Sequence, residues 1–148
     1  MANSPEVQVL YDNGRETMIK VIGYYTTGTS DFTTIANTKA LAFANTSKTC
    51  IVSISKIQYA VDCSTGAISL YWQGSSANTN AAYFGTSSCG NIDAPLINNA
   101  SSPTGNIGLQ TLGLVGGDSY SLFITLNKQP TDGFANAYIE YNDNNFHP

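Results

Sequence analysis

Apolar and polar residues alternate with a period of two along most of this chain, and no stretch sustains the period of a long helix. Residues 6–11 set Val7 and Val9 against Gln8, and Asp12-Asn13-Gly14 then supplies residues that tolerate a positive φ, so a tight turn is predicted there. Residues 17–25 answer as a second strand, with Ile19, Val21 and Gly23 on one face and Met18, Lys20 and Ile22 on the other. The central segment, CIVSISKIQYAVDCSTGAISLYW over residues 50–72, holds two more runs that meet at Ser64-Thr65-Gly66, which predicts a second hairpin. In its first run Cys50, Val52 and Ile54 share one phase, whereas Ile57, Tyr59 and Val61 share the other. A β-bulge near Ser55 and Lys56, or a crossing from one sheet to another, would account for that switch. The return run is a clean alternation, with Ile68, Leu70 and Trp72 inward and Ser69, Tyr71 and Gln73 outward.

Further strands are expected around residues 82–87, 106–112, 120–128 and 137–141, and in the third of these Tyr120, Leu122, Ile124 and Leu126 fall in phase. Residues 26–47, 74–80 and 89–104 read as loops rich in small polar residues, and residues 113–118 as a turn. The nearest helix candidate, residues 38–44, is short and flanked by Thr and Asn, which favour turns and caps. Seven to eight strands with frequent turn signals predict an all-β protein, an antiparallel β-sandwich of jelly-roll-like type. One domain is expected over residues 1–148, with a short N-terminal arm and a polar C-terminal tail, NDNNFHP.

Charge changes the picture by its scarcity. Ten acidic and six basic residues give a net charge of -4 in 148 residues. That is neither the basic footprint of a nucleic-acid binder nor a polybasic membrane patch, so no nucleic acid and no membrane are expected as partners. Solubility then rests on Ser, Thr and Asn, which suit the half-exposed face of a sheet and proteins packed into assemblies. Cys50, Cys63 and Cys89 form no metal-binding spacing; two readings stay open, reduced buried thiols or one bridge between Cys50 and Cys63. The opening MANSPEVQVLYDN has neither a basic n-region nor an apolar h-region, so assembly in a cytoplasm is expected and the sequons at Asn45 and Asn99 carry little weight.

Candidate chemistry is sparse. The one histidine, His147, is next to last, which argues against Ser-His-Asp or Cys-His catalysis. Most carboxylates fall at turns, where Asp caps the local backbone, rather than as a pair for glycoside hydrolysis. A calcium site among Asp12 and Asn13, or among Asn142, Asp143 and Asn144, lacks the spacing of a binding loop. The run Gly113-Leu-Val-Gly-Gly117 has no Lys-Ser/Thr ending and leads into a strand, so it reads as a turn rather than a phosphate loop. No enzyme, no cofactor and no metal are expected. Binding would rest on the nine Tyr, six Phe and one Trp, of which Trp72 is core by its phase. The candidate interface residues are Val7, Val9, Tyr11, Tyr24, Tyr25, Phe32, Tyr71, Phe134 and Tyr138.

Three segments together, EVQVLYDNGRETMIKVIGYY, ISKIQYAVDCSTGAISLYW and GNIGLQTLGL followed by YSLFITLNKQ, carry a resemblance. Residues 7–10, Asp12, Arg15, Ile19, Lys20 and Gly23, then Ile54, Ile57, Tyr59, Leu70 and Trp72, then Asn98, Asn99, residues 105–107, Leu109, Thr111 and Gly113 resemble the framework of small tailed-bacteriophage structural proteins, in particular marine cyanophage members. The resemblance implies a virion protein, foremost a capsid decoration or cement protein bound in many copies to the major capsid protein, as a homo-oligomer or lattice. The N-terminal strand and the long loops would make the contacts. Residues 26–47 and the segment TDGFANAYIEYN exceed the shorter members of that group. Two alternatives stand beside it: a neck or tail accessory protein, and a carbohydrate-binding adhesive module using exposed Tyr and Trp. Against the last, no second flanking aromatic platform is evident in the sequence.

Overall fold

The computed structural model describes residues 5–26, 30–93, 95–128 and 132–134. Nine strands run through them: β1 (Glu6–Asp12), β2 (Glu16–Tyr24), β3 (Phe32–Ala36), β4 (Val52–Asp62), β5 (Ala67–Gly74), β6 (Thr79–Phe84), β7 (Ser87–Ile92), β8 (Pro103–Leu112) and β9 (Ser119–Lys128). They form two antiparallel sheets, one of five strands in the order β1-β2-β9-β4-β7 and one of four in the order β3-β8-β5-β6. The all-β antiparallel sandwich is thus as the alternation predicts, with the chain passing back and forth between sheets in jelly-roll manner. The strand count exceeds the expected seven to eight. β3 forms inside the loop expected at residues 26–47, and β7 takes up part of the loop expected at 89–104. The strand expected over residues 137–141 lies outside the described residues, as do the N-terminal arm and the tail.

The core is the meeting of two alternating inner faces. Ile19 and Val21 of β2, Leu122, Ile124 and Leu126 of β9, and Val52, Ile54, Ile57 and Val61 of β4 line one side. Ile68, Leu70 and Trp72 of β5, Ile107 and Leu109 of β8, and Ala82 and Phe84 of β6 line the other. Tyr59 and Phe84 join the two layers, ring centroids 4.7 Å apart. Each fully buried aliphatic side chain contributes roughly 1.5–3 kcal/mol, so this interface is what holds the sheets together. The expected phase switch in β4 is a bulge: its pairing with β9 shifts register between Ile54 and Lys56, and the strand stays in the five-stranded sheet throughout.

The predicted central hairpin is corrected. β4 pairs with β7 and β9, β5 with β6 and β8, and the two never pair with each other. Ser64-Thr65-Gly66 is instead a corner that carries the chain from one sheet to the other. Buried Asp118 holds that corner, its carboxylate accepting from the Ser64 N–H at 3.0 Å and the Val115 N–H at 2.8 Å. Gly66 is required because Leu114 and the Leu112 carbonyl occupy the space where a Cβ would project. Alternation shows which residues face inward but not which strand lies alongside, so a sheet-to-sheet corner and a hairpin look alike in sequence.

The helix candidate shrinks to one 3-10 turn, Thr38–Ala40, capped by the Asn37 side chain, which accepts from the Lys39 N–H at 3.2 Å. All three cysteines are free, and Cys50 and Cys63 sit just beyond opposite ends of the eleven-residue β4. At ~3.3 Å per residue they stand more than about 30 Å apart, which rules out the bridge considered between them.

Candidate functional site

The nine residues singled out for an interface divide sharply. Val7, Val9 and Tyr11 lie on β1, an outer strand of the five-stranded sheet, where six of its seven residues are exposed. The strand is open on both faces: Val9 is 52% exposed, and Val7, Leu10 and Tyr11 are exposed as well. The cause is the unequal layers. A four-stranded sheet cannot cover all five strands opposite, and β1 is left beyond the core. Its pairing with β2 shifts between Val9 and Tyr11, so Leu10 is a bulged residue on the edge.

Two candidates are corrected outright. Tyr25 and Phe134 are fully buried and belong to the core. Tyr25 continues the inward phase of Ile19, Val21 and Gly23, and its ring packs 6.4 Å from that of Tyr120. Both phenols are pushed to higher pKa, by burial above all. Phe134 lies against the ammonium of Lys128, 5.6 Å from ring centroid to nitrogen. Tyr138 lies outside the described residues. Tyr24, 63% exposed, borders a shallow trough of about 630 Å³ on the outer face of the five-stranded sheet, floored by Ala60, Ser121 and Cys89.

Phe32 and Tyr71 are brought together from 39 positions apart. Both point outward from the four-stranded sheet, their centroids 6.1 Å apart and their planes inclined by 47°. Phe32 reaches diagonally across Gly108, the β8 residue paired with Thr34 on one side and Tyr71 on the other, and any side chain at Gly108 would collide with that ring. Tyr83 of β6, 62% exposed, stands opposite Ser69 on the same face. The second aromatic platform not evident in the sequence is therefore present, because β3 forms inside a segment that reads as loop. Tyr83 escapes the sequence pattern for want of a clear strand phase around residues 82–87.

A charged node at the base of β1 also escapes the pattern of candidate residues. Lys128 is the next in-phase residue after Ile124 and Leu126, and it is 0% exposed. Its ammonium donates to Asp12 Oδ1, to the Asn13 carbonyl at 2.6 Å and to the Ala42 carbonyl at 3.0 Å. Asp12 also accepts from Thr17 Oγ1 at 2.7 Å and from the Ala42 N–H at 2.8 Å. Burial alone would raise the Asp12 pKa, but these hydrogen bonds and the Lys128 charge outweigh it and hold the carboxyl below its usual range. The node ties the β1–β2 turn, the segment after the 3-10 turn and the end of β9 to one another. Its signal is the phase of β9, which carries a lysine into a buried position.

No catalytic constellation stands among the described residues. No three His, Cys, Asp or Glu there are close enough to hold a metal ion. Burial, with the Asp118 and Asp62 carboxylates nearby, pushes the Cys63 thiol up to about 11, which keeps it protonated and unreactive at neutral pH. His147 lies outside the described residues. No helix among the described residues is long and apolar enough to cross a membrane.

No protein-family model matches the chain, and no curated protein matches its sequence. Two solved structures of a family 29 carbohydrate-binding module, mutants made to probe ligand recognition, are similar to it at 10% identity and a TM-score of 0.43. One covers 84% of this chain and 92% of its own, the other 98% and 99%. No functional inference follows from similarity at that level.

Proposed function

We propose that the protein is a non-enzymatic structural protein of a phage particle, a decoration protein that docks through β1 onto the major capsid protein on the outside of the head. The observation that carries this reading is β1 itself, an outer strand with Val7, Val9, Leu10 and Tyr11 exposed. A free strand edge offers main-chain donors and acceptors to a partner strand, while alternate side chains select the partner through pockets. The Lys128–Asp12 node supports the reading by anchoring the base of β1, so that the strand is presented already ordered. A protein that binds only the assembled lattice stabilises that lattice by mass action, and bridging two capsomers adds avidity. The scarcity of charge and of catalytic groups fits a protein that works by contact.

Quantitative mass spectrometry of purified particles tests the proposal. Copy numbers comparable to those of the capsid subunit are expected, and Val9→Lys is expected to lower them. A handful of copies per particle, or a C-terminal label imaged at the neck or tail, would overturn head decoration.

A further inference from the structure

We propose that the outer face of the four-stranded sheet is a binding platform for a neutral glycan chain. The inference goes beyond docking through β1, which uses the other sheet and leaves this face open.

The four strands β3, β5, β6 and β8 contain no Asp, Glu, Lys or Arg. Their outward side chains are mainly aromatic rings, amides and hydroxyls, with Leu112 exposed at the end of β8. One row crosses the whole sheet, Phe32 opposite Gln110, Gln110 opposite Ser69 and Ser69 opposite Tyr83, with the small Ser69 side chain buried between its more exposed neighbours. At ~4.8 Å per strand the row spans about 14 Å, longer than a single sugar ring. Tyr71 stands in the adjacent row beside Phe32, so the rings cover the middle of the face as well as its margins. Thr34 Oγ1 donates to Gln73 Oε1 at 2.9 Å, which fixes that amide oxygen as acceptor and sets its NH2 group as the donor end.

A neutral polysaccharide matches this chemistry on both counts. Its C–H faces stack on aromatic planes, and its hydroxyls, which both donate and accept, pair with Gln and Thr side chains. An acidic polymer would find no counter-charge here. The rings are held before any ligand arrives, Phe32 across Gly108 and Tyr71 tilted against it, so little ordering cost falls on binding.

The test is native affinity electrophoresis of the full chain in gels containing hydroxyethylcellulose, galactomannan or xylan, with acidic alginate as a separate arm. Retardation by at least one neutral polymer and none by alginate is expected, unchanged when salt is raised. Tyr71→Ala and Tyr83→Ala should each weaken it by about tenfold or more, the loss of one stacked ring, while Tyr24→Ala on the opposite sheet leaves it intact. Tyr83 is exposed, so its variant keeps the wild-type melting temperature and reports on binding alone. Retardation by none of the neutral polymers, or retardation that survives both tyrosine variants, would overturn the proposal. So would a wild-type dimer that Tyr83→Ala converts to monomer, because the face would then be occupied by a second copy.

Discussion

The two sheets are alike inside and unlike outside. Their inner faces are both built on Ile and Leu with a few aromatics, joined by Val on the five-stranded side and Ala on the four-stranded side, and they bury each other. Outside, the five-stranded sheet carries every strand charge that faces outward, among them Glu16, Lys20, Lys56 and Asp62, together with an outer strand, β1, whose residues are mostly exposed. The four-stranded sheet carries none and shows rings instead. The shared inner chemistry is what folding requires. The outer difference is not needed for folding, which is why both functional proposals rest there.

The largest effects should come where the sheets are equivalent. Leu122→Ala on the five-stranded side and Leu109→Ala on the four-stranded side are each expected to cost about 2–5 kcal/mol by urea unfolding. A gap between them above about 3 kcal/mol, wider than that range allows, would break the equivalence of the inner faces. Asp12→Ala comes next, because it strands a buried ammonium, and about 2–3 kcal/mol is expected, below the cost for a fully buried pair since the Asp12 side chain is 22% exposed. Calorimetry should show this as a fall of several degrees in Tm.

The same pair predicts a pH limb. The Asp12 carboxyl is held below its unfolded value of about 4. Its stabilising contribution is therefore complete above that value and lost as pH falls through the folded one. Urea midpoints measured from about pH 7 down to about pH 3 should decline in the wild type and decline less in Asp12→Asn. Smallest of all, Val9→Lys on β1 and Tyr83→Ala on β6 should each change stability by no more than about 0.5 kcal/mol, since neither side chain supports the core. A larger loss by either would show that an outer feature serves folding after all.

Alternation makes the inner faces legible: Ile19 and Val21, Ile68 to Trp72, and Tyr120 to Leu126 are where their phase places them. The bulge in β4 is legible too, since a phase that switches with no turn signal nearby means either an extra residue in the strand or a change of sheet. Neighbour identity is not. β4 and β5 run consecutively into opposite sheets, and nothing in either pattern distinguishes that from pairing. Short edge strands such as β3, FTTIA, and β7, SSCGNI, give too few residues and too little apolar contrast for a period. The aromatic platform is invisible for the same reason, because it needs β3 to set Phe32 beside Tyr71. Residue type alone misplaces Tyr25 and Phe134 at the surface, although the inward phase of β2 already puts Tyr25 in the core.

β9 is the middle strand of the five-stranded sheet and the last of the nine in the chain. β2 and β4 each wait for it: β2 pairs through Glu16–Tyr24, β4 through nearly its whole length, and neither touches the other without it. A chain emerging from a ribosome can close the β1–β2 turn and begin the four-stranded sheet by residue 112, but the larger layer must wait for residue 128. Such long-range pairing makes for slow folding, and until β9 arrives the apolar sides of β2 and β4 stand open to water and to other nascent chains. Synthesis of this protein is thus most exposed to misassembly in the interval just before its ninth strand is complete.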